Sequence, residues 1–424
     1  MPHAADIDFD ALSPDRPPVV LLGGVNLVRA LGLAGIPAIV ASSDPDEPAF
    51  ASRYCVGRVV LPPVSRAAAV IEALIDLSAQ LFRTLGRHVP LMYGNDNWLE
   101  LIYAHRDRLD GHYLMVLNDT SVALALMEKA QFQALALQRG LPVPLGLRWE
   151  GEGDNSLKGF HKPVLVKPRH KFEWHDSPLH ELLFTDDGKA LVFEDGAAAM
   201  AHPLVECYRN QLLFQEFIPG DDQQLWSYHG YADEDGEVIA SFVGRKIRTY
   251  PPITGESAYI EMVCDPALSA FGKQMAARLP LRGPFKIDFK KDARDGRLVI
   301  LEINARYTLW HYLGAVNGVN LASAAYAYLM DGTRAQPATQ YSTAHRWVYM
   351  KLDFLAYRAL ARTGELDLLG WLRSLMGARR VYNVFAWNDP GPLAAMWVGR
   401  FTRRGRRAKE KMRSVFRQWL STAS

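Results

Sequence analysis

Short apolar runs alternate with longer segments of helical period over the first hundred residues or so. "VVLL" (19–22) has the pattern of a buried strand. "GGVN" turns it into a helix ending near Gly35, and "IPAIVAS" (36–42) is a second strand. That βαβ order predicts a parallel α/β layer extending to about residue 125. "VPLMYGNDNWLELI" (89–102) reads as a further strand ending in a polar turn. Asn95, Asp96 and Asn97 then sit at a strand's C-terminal edge, where open α/β sheets bind ligands. Helix capping suits Asp96 and Asn97 equally well. The Gly23–Gly24 pair falls short of a dinucleotide fingerprint, and a tight turn accounts for it.

The pattern then changes. Residues 121–139 keep a helical period until "GLPVP" (140–144) stops it. A smaller lobe follows, about 145–213, carrying the strand "PVLVKP" (163–168). "LLFQEFIPGDD" (212–222) crosses to a lobe of long strands, about 214–335, in which 225–250 form a hairpin around "DEDGE". From about 340 onward the chain reads as mostly helical, rich in Trp, Leu and Arg.

One pair of strands breaks the apolar rule. In "GPFKIDFKKDARDGRLVILEIN" (283–304), two β runs flank Arg294–Asp295–Gly296. A three-residue loop pairs Ala293 with Arg297, so Asp288 faces Glu302 and Lys286 faces Asn304. Alternation puts these four on one face and Phe285, Ile287, Phe289, Val299, Leu301 and Ile303 on the other. Opposite residues lie about 5 Å apart. Two opposed carboxylates repel unless a cation stands between them. Hard oxygen donors completed by water and phosphate suit Mg²⁺. The plainer alternative is a solvated face in which Lys286 neutralises the pair.

Composition narrows the field. The chain has 424 residues, 49% hydrophobic and 22% charged, enough for two to four lobes with ample core. Its net charge of +2 points neither toward nor away from nucleic acid, and no nucleic-acid partner is expected. Cys55, Cys207 and Cys264 have neither disulfide nor metal spacing, as in a reducing cytoplasm. The run 19–41 is interrupted by Asn26, Arg29, Gly35 and Pro37, and the acidic residues before it suit no signal peptide. His170, His175 and His180 fit no zinc pattern.

Cations recur where phosphates need them. Lys167 ends the strand "PVLVK", Lys129 opens a helical run, and Arg245, Lys246 and Arg248 close "ASFVGRKIR". The ordered series "EKAQFQALALQRGLPVP", "PVLVKP", "LLFQEFIPGDD", "GRKIR", "GPFKIDF" and "LEINAR" resembles the ATP-grasp superfamily over about 19–332. It is most like bacterial carboxylate–amine ligases with a Rossmann-like pre-ATP-grasp domain. The resemblance implies an α/β (α+β) architecture: a pre-ATP-grasp domain (1–125), a two-lobed ATP-grasp domain (126–335) and a helical C-terminal extension with a basic tail (336–424).

It also implies roles. Lys129 and Lys167 would hold ATP phosphates. Gln215 and the backbone of Glu216 and Ile218 would meet adenine, and Asp222 the ribose. Asp288, Glu302 and Asn304 would hold Mg²⁺, with Mn²⁺ as a substitute. Lys246 or Arg245 would reach the γ-phosphate, while Lys286 and Arg306 would steady the acyl phosphate or substrate carboxylate. The implied activity is ADP-forming ligation of a small-molecule carboxylate to an amine. Thiol ligation, a small-molecule kinase and a non-catalytic nucleotide-binding scaffold are the alternatives. Where many relatives have a glycine-rich loop, this chain has "PRHKFEWHDSPLHEL" (168–182), whose Arg169, His170 and Lys171 could supply the charge. The basic run 399–420 suits either an anionic membrane surface or partner, or a terminal helix docked on its own protein. Neither the substrates' identities nor the oligomeric state is legible.

Overall fold

The computed structural model describes residues 5–147, 157–169 and 190–399. Most of the loop 168–182, with His170, Lys171, His175 and His180, lies outside them, as does the basic run beyond Gly399.

The N-terminal sheet contains β1 (Ala5–Ile7), β2 (Val19–Leu22), β3 (Ala38–Ser42), β4 (Cys55–Val60), β5 (Val89–Tyr93) and β6 (Tyr113–Leu114), in the order β1-β4-β3-β2-β5-β6. All but β1 run parallel to their neighbours. Strand β2 is apolar throughout because both of its faces are covered. Val20 and Leu22 pack in one core with helix Ala67–Leu85, and Val19 and Leu21 in another with helix Val25–Leu33.

The small lobe is an antiparallel sheet of β7 (Gly146–Leu147), β8 (Val164–Pro168), β9 (Leu191–Phe193) and β10 (Leu212–Glu216), ordered β7-β10-β8-β9. Strand β10 is central and wholly buried, and it leads out of the lobe.

The large lobe contains β11 (Leu225–Ala232), β12 (Val238–Tyr250), β13 (Glu256–Val263), β14 (Gly283–Lys291) and β15 (Leu298–Asn304). The chain after 336 is helical at Met350–Arg362 and Leu368–Ser374, and it also adds two strands to this sheet, β16 (His345–Val348) and β17 (Arg379–Tyr382). The order is β15-β14-β11-β12-β13-β16-β17. The C-terminal segment then returns to the N-terminal lobe, where Asp389 pairs with buried Arg29 at 2.8 Å. No helix among the described residues is long and apolar enough to cross a membrane.

Candidate active site

Strands β14 and β15 pair as the spacing predicts: Lys286 opposite Asn304, Asp288 opposite Glu302. The route to that register differs. Toward the turn, Phe289 pairs with Ile300 and Lys291 with Leu298, so a bulge at Leu301 offsets a longer loop than expected. The bulge also corrects the apolar face. Ile300 joins Phe285, Ile287, Phe289 and Ile303 in the core, and Leu301 faces a cleft instead.

On the polar face, Lys286 Nζ lies 2.6 Å from Asp288 Oδ2, both side chains being almost buried. Burial pushes the Lys286 amine below its ordinary pKa, against the pull of Asp288. Ser227 of β11 donates its hydroxyl to Asp288 Oδ1. Asp288 Oδ2 is buried, and Lys286 is the partner it has. Glu302 is exposed, and Asn304 Nδ2 donates to its Oε1 at 3.2 Å. Two facing carboxylates and an amide suit a hard cation that also takes phosphate oxygens and water, a cation that would replace Lys286 at Asp288 Oδ2. No group of three His, Cys, Asp or Glu gathers among the described residues, which sets this face apart from an all-protein metal cage.

Across from Glu302 stand the lysines. A cleft is lined by Lys129, Lys167 and Gln215 on one side and by Leu301, Glu302 and Asn304 of β15 on the other. Lys129 Nζ donates to the carbonyl of Pro168 at 2.9 Å, which ties the start of its helix to the end of β8. Burial lowers the Lys167 pKa to about 8, partly offset by Glu302. Gln215 is buried and donates to Gln133 Oε1 at 2.9 Å, and Gln133 donates to the carbonyl of Pro144 at 2.8 Å.

The crossing from small to large lobe is braced from outside. The Glu216 N–H donates to Leu145 O at 2.8 Å, and its side chain accepts from Arg294 at 2.8 Å. The β14–β15 turn therefore clamps the end of β10. The Glu216 N–H is thus committed to the sheet, whereas the backbone of buried Ile218 forms no hydrogen bond to a described residue.

Arg306 follows β15 directly. Its Nε donates to Asp96 Oδ1, its Nη2 reaches Asp96 Oδ2 at 3.1 Å, and Nη2 also reaches Asn304 Oδ1 at 3.2 Å. Asn95, not Asp96, caps helix Asp96–Ala104, accepting from Trp98 N at 3.0 Å. Asp96 also lines the cleft.

Arg245 and Asp222 have partners within the large lobe. Gly244 stands opposite Ser227 and Arg245 opposite Trp226, so alternation puts Lys246 on the face of Asp288 and Arg245 on the reverse. There Arg245 donates from Nε and Nη2 to the one oxygen Glu261 Oε1, and its guanidinium lies 5.3 Å from the Trp226 ring. Lys246 makes no hydrogen bond or ion pair to a described residue. Asp222 is buried, and its oxygens accept from Thr249 N at 2.6 Å, Thr249 Oγ1 at 2.7 Å and Ile253 N at 2.7 Å. Burial raises its pKa against those bonds. Ile253 holds φ +72°, a strained value for a β-branched residue, and Asp222 pins it there. Its carboxylate is thus engaged in the fold.

Two residues escaped the sequence reading. Ser227 orients Asp288, and the alternation in "LWSYH" signals which face it takes. Lys290 continues the series Lys286, Asp288, with its Nζ 5.1 Å from the ring of Phe217 at the lobe crossing. Burial lowers its pKa to about 8.

A parallel α/β domain, a small antiparallel lobe and a large sheet with a polar hairpin together define the ATP-grasp fold. Among characterised proteins, the chain is similar to D-aspartate ligase of Enterococcus faecium, 25% identical over 274 residues. The match covers 62% of this chain and 64% of that one, so the chain spans less than two thirds of that relative's length. The L-amino acid ligase of Bacillus licheniformis has a similar structure, with a TM-score of 0.53 and 16% identity over 75% of this chain and 74% of that one. The biotin carboxylase domain of Hydrogenobacter thermophilus 2-oxoglutarate carboxylase, solved with MgADP, ADP and bicarbonate, gives 0.54 at 13% identity, over 78% and 73% respectively. No family model matches the chain.

Proposed function

We propose that the protein is an ATP- and Mg²⁺-dependent ligase joining a small-molecule carboxylate to an amine, with release of ADP and phosphate. The observation that carries this reading is the cleft itself: Lys129 and Lys167 stand on one side, Glu302 and Asn304 on the other. Similarity to a D-aspartate ligase and an L-amino acid ligase supports the reaction class, and a MgADP complex of a structural neighbour supports the cofactor. Mn²⁺ would serve in place of Mg²⁺. The reading carries with it the domain limits 1–125, 126–335 and 336–424, a cytoplasmic setting and no nucleic-acid partner.

The chemistry is activation of a poor acyl donor. A carboxylate oxygen attacks the γ-phosphorus, the bond to the β–γ bridging oxygen breaks, and ADP leaves. The amine nitrogen then attacks the acyl carbon, the C–O bond to phosphate breaks, and the nitrogen loses a proton. Here the protein supplies position and charge. Lys129 and Lys167 hold phosphates. The apolar crossing after Gln215, with the backbone of Ile218, receives adenine. Asp288, Glu302 and Asn304 would hold Mg²⁺, which when bound neutralises charge on the transferring phosphoryl group. Lys246, on that face, meets the γ end, and Lys286 and Arg306 steady the acyl phosphate.

The test is a carboxylate screen with MgATP in which hydroxylamine replaces the amine. Carboxylate-dependent ADP release with hydroxamate formation is expected. Release of AMP and pyrophosphate contradicts the reading, and a stable phosphorylated product with no need of a nucleophile indicates a kinase.

A further inference from the structure

The C-terminal part of the chain presents an apolar surface that no described residue covers. Helix Leu368–Ser374 is fastened by Trp371 and Leu375, which are buried in one core with Tyr259 and Val348. Trp371 Nε1 also donates to Asp353 Oδ2 at 2.8 Å, and Asp353 belongs to helix Met350–Arg362. The outward side of a surface helix is ordinarily polar. Here the exposed residues of the helix are Leu368, Leu369, Leu372 and Arg373. The leucines are 54%, 51% and 45% exposed, and Met376, just past the helix, is 63% exposed. Phe354 is also exposed and meets the Trp371 ring edge-on at 5.8 Å, which extends the patch onto the neighbouring helix. An exposed apolar patch of this kind marks a surface for a partner or a bilayer.

Charge decides what covers it. Lys351, Arg358, Arg362, Arg373, Arg379 and Arg380 are exposed on the same two helices and the strand that follows. Only Glu365 and Asp367 oppose them over residues 350–380, because Asp353 is buried in its pair with Arg248. Residues 400–424 add nine Lys or Arg against one Glu. Like charge therefore opposes the docking of that run on the patch, and it opposes the meeting of two copies patch to patch. Apolar side chains beside cations match a bilayer with anionic headgroups, where leucine and phenylalanine enter the headgroup boundary and arginine and lysine meet phosphate.

We infer that helices Met350–Arg362 and Leu368–Ser374 form a docking surface for an anionic lipid bilayer, entered by Phe354, Leu368, Leu369, Leu372 and Met376. The basic run beyond Gly399 adds attraction, and the apolar patch supplies the insertion. The patch borders β17, at the edge of the large sheet opposite β15 and the cleft. The surface thus stands apart from the proposed chemistry, and the inference holds or fails independently of the ligase reading.

The experiment is cosedimentation of the full chain with vesicles of phosphatidylcholine alone and of an equal mixture of phosphatidylcholine and phosphatidylglycerol, at low and at high salt. Binding to the mixed vesicles is expected to be about tenfold or more stronger than to the neutral ones, and to weaken as salt rises. The triple variant Leu369→Gln, Leu372→Gln, Met376→Gln should bind mixed vesicles roughly tenfold more weakly. Arg373→Gln combined with Arg379→Gln should lower binding by a similar factor at low salt. The replaced side chains are exposed, so the melting temperature of each variant should match wild type.

No binding to the mixed vesicles overturns the inference and leaves an acidic protein surface as the occupant. Equal binding to both kinds of vesicle overturns it as well. If the triple variant binds as tightly as wild type, the basic run alone makes the contact, and the inference is again overturned. Light scattering of the lipid-free chain gives the remaining outcome: a concentration-dependent dimer abolished in the triple variant would show that a second copy covers the patch, against the inference.

Discussion

Asp288 and Asp222 are both buried aspartates in the large lobe, and they illustrate opposite uses of a carboxylate. Asp222 accepts three hydrogen bonds from the segment 249–253, so its oxygens are committed. Asp288 accepts the Ser227 hydroxyl on Oδ1 and pairs with the Lys286 ammonium through Oδ2. The first serves the backbone, and the second is held by two side chains of the polar face. A motif locates a carboxylate on the right strand, and only its donors reveal whether it is available to a ligand.

The largest effect that would sharpen this contrast is on turnover. Glu302→Gln keeps volume and removes one charge from an exposed position on the metal face. Hydroxamate formation should fall by about a hundredfold to a thousandfold, with an unchanged melting temperature. Near-normal activity at modest Mg²⁺ would remove the metal face from the account.

Next is the lysine opposite. Lys167→Ala should raise the KM for ATP roughly tenfold to a hundredfold, as expected for one charged contact to phosphate. The same residue gives a pH test. With a pKa lowered to about 8, Lys167 loses its proton as pH rises through that value in the free enzyme, and kcat/KM for ATP should decline on the alkaline side. Lys167→Arg should move the decline to higher pH, and an identical profile would assign it to another group.

Asp222→Ala should act on stability. It strips acceptors from the buried N–H of Thr249 and from the part-buried N–H of Ile253, and a loss of roughly 2–4 kcal/mol is expected by denaturant titration. Discrimination between ATP and 2′-deoxy-ATP should match wild type. Selective loss of that discrimination would return Asp222 to the ribose. Smallest of all is Arg245→Gln. This pair is one-third exposed on its arginine side, so about 1 kcal/mol or less is expected. ATP kinetics should stay unchanged, since Arg245 lies on the reverse face.

Much of this was legible in the sequence because strand alternation has a fixed period. The polar set Lys286, Asp288, Glu302, Asn304 followed from counting, although the count reached its register through two offsetting differences, the longer loop and the bulge at Leu301. Ser227 and Lys290 were equally countable. Arg245 and Lys246 are neighbours, so alternation required them to part, but choosing between them needed the partner strand. Asp222 was illegible in another way: its donors come from residues 27 and 31 positions further on. The pair between Asp96 and Arg306, 210 residues apart, likewise belongs to tertiary structure alone. Strands β16 and β17 are short and embedded in helices, so the C-terminal part reads as helical until its edge pairing is seen.

The central claim is that a carboxylate oxygen attacks the γ-phosphorus on the Asp288–Glu302 face. Its most direct test is isotope transfer from an ¹⁸O-labelled carboxylate substrate, with MgATP and an amine. The account predicts labelled inorganic phosphate formed in step with ADP, the label being lost when Glu302 is replaced by Gln. Label recovered in AMP would contradict it.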